Sequence, residues 1–216
     1  MKTFLFKNRG LLLRLMAIIY TVGILGLLIP ETRALFTALT PVNIVLAAIL
    51  VLSLEEKWDF RLIAAAFLVG GLGFAIEVAG VHTGTIFGNY FYRETLGPMF
   101  MGVPILLGLN WFFLIYSAQA MVYHYGIVLG AILSALILVV YDVVLEPFAI
   151  QYDLWVWAGS GVPPIQNFVA WGLTALILTL LFRAIAGARK NALAGPIILM
   201  QFTFFTLLLL GEKFGI

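Results

Sequence analysis

The sequence has no cysteine and only two histidines, His82 and His124, and only 10% of its 216 residues are charged. Without thiols there is no disulfide, thiolate metal site, iron–sulfur cluster or cysteine nucleophile. The histidines stand far apart and form no HxxxH or HxxH pair, which argues against a histidine-rich di-iron hydroxylase. Neither a metal nor a redox cofactor is expected. The net charge is only +2, and the basic stretch RAIAGARKN reads as a loop on the positive side of a membrane. Nucleic acid is therefore not expected as a partner.

Apolar side chains are what the chain has in excess. They make up 63% of the residues, and a mean hydropathy of +1.12 excludes a soluble domain. The expected fold is all-α: one integral membrane domain over residues 1–216, a polytopic transmembrane helical bundle. At about 20 residues per crossing of about 30 Å, the apolar runs give about seven spans. They fall near 11–29, 35–54, 61–79, 104–124, 126–147, 165–184 and 194–211. Pro41 is expected to kink the second, and Pro147 to discourage continuation of the fifth. The first run follows Lys2, Lys7 and Arg9 as a signal peptide would, but it is long and lacks a small-residue cleavage site, so it is read as a retained helix.

Positive charge sets the orientation. Lys2, Lys7, Arg9, Arg14, Lys57, Arg61, Arg183, Arg189 and Lys190 fall on one side, against Arg33, Arg93 and Lys213 on the other. This puts the N-terminus in the cytoplasm and the C-terminus outside, in the cell (inner) membrane. The long connections 80–103 and 148–164 then lie on the non-cytoplasmic face. Glu55, Glu56 and Asp59 belong to a charged cytoplasmic turn that calls for no special role.

Three acids interrupt the apolar spans: Glu77 in GFAIEVAGV, and Asp142 and Glu146 in LVVYDVVLEPF. A central Asp in a membrane helix costs roughly 2.5–3.5 kcal/mol on an insertion scale, so each is a functional candidate whose partners must be found. Glu77 stands as far beyond Arg61 as Asp142 stands beyond Gly126, about 24 Å along a helix, so the acids share a level in the outer half. Glu146 is one turn beyond Asp142 on the same face, and two such neighbouring carboxyls should couple. Each acid-bearing helix is followed by an outer loop, Gly-Val-Pro, and a helix with Asn and Trp. The first copy ends in Asn110 and Trp111, the second in Asn167 and Trp171. This pattern suggests a parallel duplication with a site between the halves. The outer loops are rich in Gly and aromatics. Phe87, Tyr90, Phe91, Tyr92, Trp155 and Trp157 either roof a cavity or anchor the chain at the headgroups.

The blocks EVAGVHTGTIFGNYFY, LGPMFMGVP, YDVVLEP, LWVW and GVPPIQNFVAW occur in this order over roughly residues 70–172. Together they resemble the carotenoid biosynthesis membrane proteins, a family that includes carotenoid 1,2-hydratases, gamma-carotene 1'-hydroxylase and bisanhydrobacterioruberin hydratase. In that family's pattern the second acid before Pro is usually Asp and a Gly commonly precedes the final Trp; here they are Glu146 and Ala170. The resemblance implies a long apolar carotenoid substrate, the lipid bilayer as surroundings, and contact with other enzymes of the carotenoid pathway.

The expected reaction is addition of water across the terminal C1–C2 double bond of an acyclic carotenoid end. An acid protonates one carbon, a tertiary cation forms, and directed water adds to the other. On this reading Asp142 is the general acid, Glu146 its coupled partner or proton supply, and Glu77 the base that positions water. Trp111, Tyr141 and Trp171 offer ring faces to the cation. Asn110 and Asn167 hold water or orient a carboxyl, and His82 relays protons from the outer face. Plainer readings remain open: Glu77 and Asp142 could pair structurally with Asn43, Asn110 or Gln119, the two asparagines Asn110 and Asn167 could only bond across helices, and His82 could only satisfy loop backbone. So do two other functions. A cyclase would use the same protonation, and a proton-coupled transporter would also need membrane carboxylates, although no Gly/Pro break lies at mid-depth beside them.

Overall fold

In the computed structural model, residues 7–159 and 161–213 are described. Lys2, part of the charge asymmetry above, lies outside them. Eight α-helices appear among the described residues: α1 (Arg9–Leu28), α2 (Pro30–Ala38), α3 (Thr40–Ser53), α4 (Phe60–Thr83), α5 (Leu106–Met121), α6 (Ile127–Gln151), α7 (Ile165–Ala186) and α8 (Ala194–Lys213). Five of them, α1, α4, α6, α7 and α8, are long and apolar enough to cross a membrane. The pair α2–α3, bent by 52° at Leu39, makes up to six if counted as one span. The bend falls next to Pro41, where a kink was expected, because a proline ring cannot continue the preceding helix without clash.

The remaining helix, α5, is only 16 residues long, about 24 Å. It is the central helix. Every residue from Trp111 to Ala120 is buried, and α3, α4, α6, α7 and α8 pack around it. Its surroundings are protein, so its length need not match the hydrocarbon thickness. The span expected over 104–124 is shortened because Val103–Pro104 is extended and pairs with Met99–Phe100.

The outer connections add two small antiparallel ladders to an otherwise helical chain. Beyond the all-α expectation, β1 (Tyr90–Tyr92) pairs with β4 (Trp155–Trp157), and β2 (Met99–Phe100) with β3 (Val103–Pro104). Loop backbone folded back onto the bundle must satisfy its own N–H and C=O groups, and short ladders do this. Helix α6 also differs from expectation: it runs through Pro147 to Gln151. Phe148 and Ala149 are buried, and their packing offsets the hydrogen bond that the proline ring forgoes.

At the end of the bundle opposite these ladders, the turn that the sequence left as merely charged is a buried junction. The Glu55 carboxylate accepts hydrogen bonds from the Tyr116 hydroxyl (2.5 Å), the Lys57 amide (3.0 Å) and the Arg189 guanidinium (3.4 Å). Arg189 also donates to Asp59 (2.8 Å), which caps α4 by accepting from the Leu62 amide (2.9 Å). The Arg183 guanidinium donates to the carbonyls of Val122, Tyr125 and Gly126 just beyond α5. Basic side chains are favourable at such a helix C-terminus. Sequence could not reveal this, because the partners lie more than 50 residues apart.

Small residues set the closest helix crossing. A Cβ at Gly70 on α4 would meet the Gly108 carbonyl oxygen on α5 at 2.9 Å. Close backbone approach of this kind substitutes for a hydrophobic driving force within lipid. Gly70→Val should push α4 from α5 and cost about 1–3 kcal/mol, seen as a lower thermal midpoint of the detergent-solubilised protein. Gly71→Ala, where a Cβ meets nothing within 4 Å, should leave it unchanged or raised.

Candidate active site

The cross-ladder pairing of the outer loops creates the site. Tyr90 stands opposite Trp157 and Tyr92 opposite Trp155. Side chains alternate along a strand. The flanking aromatics of YFY and WVW therefore point inward together, while Phe91 turns outward and stays exposed. Beneath this aromatic lid lie the acids of α4 and α6, with exposures of 3% for Glu77, 0% for Asp142 and 2% for Glu146.

Each glutamate is held by three donors. Glu77 Oε2 accepts from the hydroxyls of Tyr90 (2.6 Å) and Tyr92 (2.7 Å), and its Oε1 from Trp111 Nε1 (2.9 Å). Glu146 Oε2 accepts from Trp155 Nε1 (3.0 Å) and Trp157 Nε1 (2.8 Å), and its Oε1 from Asn167 Nδ2 (3.1 Å). The construction occurs twice: two donors from the strand that follows the acid's own helix, and one from the next helix. The halves meet where the Trp111 and Trp171 rings lie 4.6 Å apart. Asp142 is held differently. Its Oδ2 accepts from the same Asn167 amide (2.9 Å), and its buried Oδ1 has no hydrogen-bond partner.

Glu77 and Glu146 line one cavity of about 180 Å³, together with Asn110, Trp111, Tyr141, Asn167 and Trp171. Seven of the nine residues expected at the site are thus brought together. The other two are not at the wall. Asp142 stands behind Asn167 and does not line the cavity. His82 does not line it: the ring is exposed and its Nδ1 donates to the Val78 carbonyl of its own helix (2.9 Å). Nor do the acids take the expected structural partners. Asn43 and Asn110 bond to none of them, and Gln119 is committed to Arg189 and Tyr116 at the opposite end. The exposed lining side chains are Ile19 on α1 and Leu39 at the α2–α3 break, both apolar.

Sequence reasoning took Tyr90, Tyr92, Trp155 and Trp157 as a roof or as interfacial anchors. They do line the cavity, and they are also the hydrogen-bond donors to its two buried glutamates. The signal was present in the repeated aromatic-x-aromatic alternation, which places both outer residues of each triplet on one strand face.

The family described as Carotenoid biosynthesis protein matches residues 36–213, most of the chain. The chain belongs to that family. Its similarity extends to the bisanhydrobacterioruberin hydratase of Haloarcula japonica, 33% identical over 151 residues, which are 62% of this chain and 50% of that protein. The chain thus spans about half the length of that relative. No solved structure matches it. Within the matched region lie both glutamates, Asp142 and all four donor aromatics of the loops, whereas the whole of α1 precedes it.

Tyr90 and Tyr92 lie outside the helices, and both phenols are pushed well above the usual tyrosine range, first by burial and then by the neighbouring Glu77 carboxylate. The folded protein therefore binds these protons more tightly than the unfolded chain does. Their stabilisation is complete below about pH 10, where free tyrosine titrates, and is lost as pH rises beyond it. An alkaline unfolding series should show stability falling above that point, and less steeply in Tyr90→Phe and Tyr92→Phe.

Proposed function

We propose that this chain is a cofactor-independent carotenoid hydratase that adds water across the terminal C1–C2 double bond of an acyclic carotenoid end. The observation that carries this reading is the pair of buried, fully donated glutamates on one apolar, aromatic cavity. The hydratase name of the Haloarcula japonica relative favours the same chemistry. A cavity of about 180 Å³ suits the end of a long polyene, with the remainder passing out at Ile19 and Leu39 into the bilayer.

The geometry exchanges two of the roles expected from sequence. Glu146 lines the cavity and Asp142 does not, so Glu146 delivers the proton and Asp142, sharing Asn167 with it, is the reserve. The proton moves from Glu146 to the less substituted alkene carbon; the π bond breaks and a tertiary cation forms at the other carbon. Water attacks that cation and gives its proton to Glu77, and transfer back from Glu77 to Glu146 resets the site. The three donors aimed at Glu146 stabilise the carboxylate left behind, an interaction gained as the proton departs. The paired faces of Trp111 and Trp171 attract the cation. Asn110 lines the cavity and makes no hydrogen bond among the described residues, which leaves its amide for the water. No redox group is needed for this sequence of steps.

Expression in a lycopene-producing host should yield a pigment heavier by one water. An isomer of unchanged mass would mean cyclisation, and unchanged pigment accompanied by solute flux would mean transport. Glu146→Gln should reduce product by about 10²–10⁴-fold while protein remains in the membrane, and Asp142→Asn by less. Equal activity of Glu146→Gln and native protein would remove the acid assignment.

We also propose that α5 and the α2–α3 pair each cross the inner membrane with the five long helices. That gives seven crossings with the N-terminus cytoplasmic, supported by the nine-to-three distribution of basic residues. Alkaline phosphatase fused after the C-terminus should be active and a fluorescent protein there dark; the reverse result would invert the topology.

A further inference from the structure

The cavity has a second polar pole, distinct from its carboxylates and uncharged. Tyr20 of α1 is 5% exposed, lines the cavity, and its hydroxyl has no hydrogen-bond partner. The side-chain amides of Asn43 on α3 and Gln201 on α8 are near enough to interact weakly with it, but neither reaches it with hydrogen-bond geometry. The Asn43 Oδ1 is buried and equally unpartnered, although Asn43 also lines the cavity. Gln201 Oε1 accepts from the Tyr141 hydroxyl of α6 (3.2 Å). Four helices thus bring phenols and amides to one place and leave a donor–acceptor and an acceptor without partners.

Unsatisfied polar atoms in an apolar interior are costly, about 1–3 kcal/mol each, and in a folded protein they usually mark a missing partner. The chemistry of that partner follows from the set. There is no cation or carboxylate among the four residues, so a charged ligand would gain nothing to offset its desolvation. Asn43 Oδ1 can only accept, and the Tyr20 hydroxyl can donate or accept. The complementary group is a neutral hydroxyl, which donates once and accepts as well.

We propose that Tyr20, Asn43, Gln201 and Tyr141 form a hydroxyl-binding subsite within this cavity. The hydroxyl belongs either to an alcohol on the bound hydrocarbon or to a water. Taking that alcohol as the product rests on the hydratase reading; the subsite itself does not. Tyr20 precedes the region shared with the family, so this wall is supplied by a part of the chain outside the family match. A subsite in the same cavity as the carboxylates would let the enzyme distinguish a finished, hydroxylated end from an unreacted one.

The probes are dihydromyrcene, a ten-carbon hydrocarbon with the required trisubstituted double bond, and dihydromyrcenol, the tertiary alcohol formed from it by hydration. Binding to the purified full-length protein in phosphatidylcholine nanodiscs is read from quenching of the tryptophans that line the cavity, so it needs no turnover. The native protein should prefer the alcohol about fivefold, the value of one net hydrogen bond. Tyr20→Phe, alone and with Asn43→Leu, should erase that preference while hydrocarbon affinity holds, which also shows that the variants are folded. If the subsite holds a water instead, native protein binds both probes alike and the double variant binds the hydrocarbon more tightly. Tyr20→Phe and the double variant leaving both affinities as they were, or lowering both equally, would overturn the subsite. Absence of hydrated pigment in the lycopene-producing host, with the alcohol preference intact, would sink the hydratase reading and leave the subsite standing.

Discussion

A carboxyl group in hydrocarbon must find hydrogen-bond donors within the protein, and the rest of this structure is arranged around that requirement. Among the described residues, no arginine or lysine hydrogen-bonds or pairs with Glu77 or Glu146. The donors are instead the N–H groups of Trp111, Trp155 and Trp157, the hydroxyls of Tyr90 and Tyr92, and the Asn167 amide. Aromatic donors have a particular advantage here. Each supplies one polar point on a large apolar body, so the acid is satisfied and the chamber around it stays oily. A lysine would also have satisfied the acid, but as a fixed positive charge it would oppose a carbocation nearby.

The same requirement explains why the outer loops fold inward. A strand is the shortest way to aim two side chains in one direction from consecutive alternate positions. Neither triplet could stand alone as a strand in the middle of a loop; pairing YFY with WVW satisfies the backbone of both. Pairing also joins the two halves of the chain, because each strand serves the acid of its own half and hydrogen-bonds the strand of the other. Gly73 and Gly80 complete this on α4: a Cβ at the first would enter the space of Trp111, and at the second that of Phe87 and Tyr90. The glycines of this helix are therefore cut to the shape of the aromatic donors.

Much of this was legible in the sequence because membrane segments obey few rules. Helix positions followed from apolar length, the kink near Pro41 from its ring, and the nearness of Glu146 to Asp142 from four-residue spacing, whereas the Asn167 amide shared by both came from the structure. What sequence hid was direction. The position of Asp142 on a helix near Glu146 could not tell which carboxyl would face the chamber, since a single residue step turns a side chain by about 100°. His82 shows the same limit, one turn beyond Glu77 in order yet exposed and bonded to its own helix. The junction of Glu55, Tyr116 and Arg189 was invisible for another reason: its members come from three distant segments, each unremarkable when read alone.

The cavity must also reconcile two opposed demands on water. On the proposed hydratase reading, a tertiary cation in bulk water would be captured without control, so the chamber has to exclude solvent; yet capture by one water would be the reaction. The sequestered lid of Tyr and Trp meets the first demand, because its polar atoms all turn toward the carboxylates and leave ring faces toward the substrate. The second demand needs a few uncommitted polar groups at defined places, and Asn110 on one wall, with Tyr20 and Asn43 on another, provides them. In the proposed cycle Glu146 delivers the proton and Glu77 collects it, so each turnover would leave Glu77 protonated and Glu146 bare. Because both glutamates line the same cavity, the proposed cycle returns the proton from Glu77 to Glu146 within it, and only the water consumed in each turnover has to be supplied from outside.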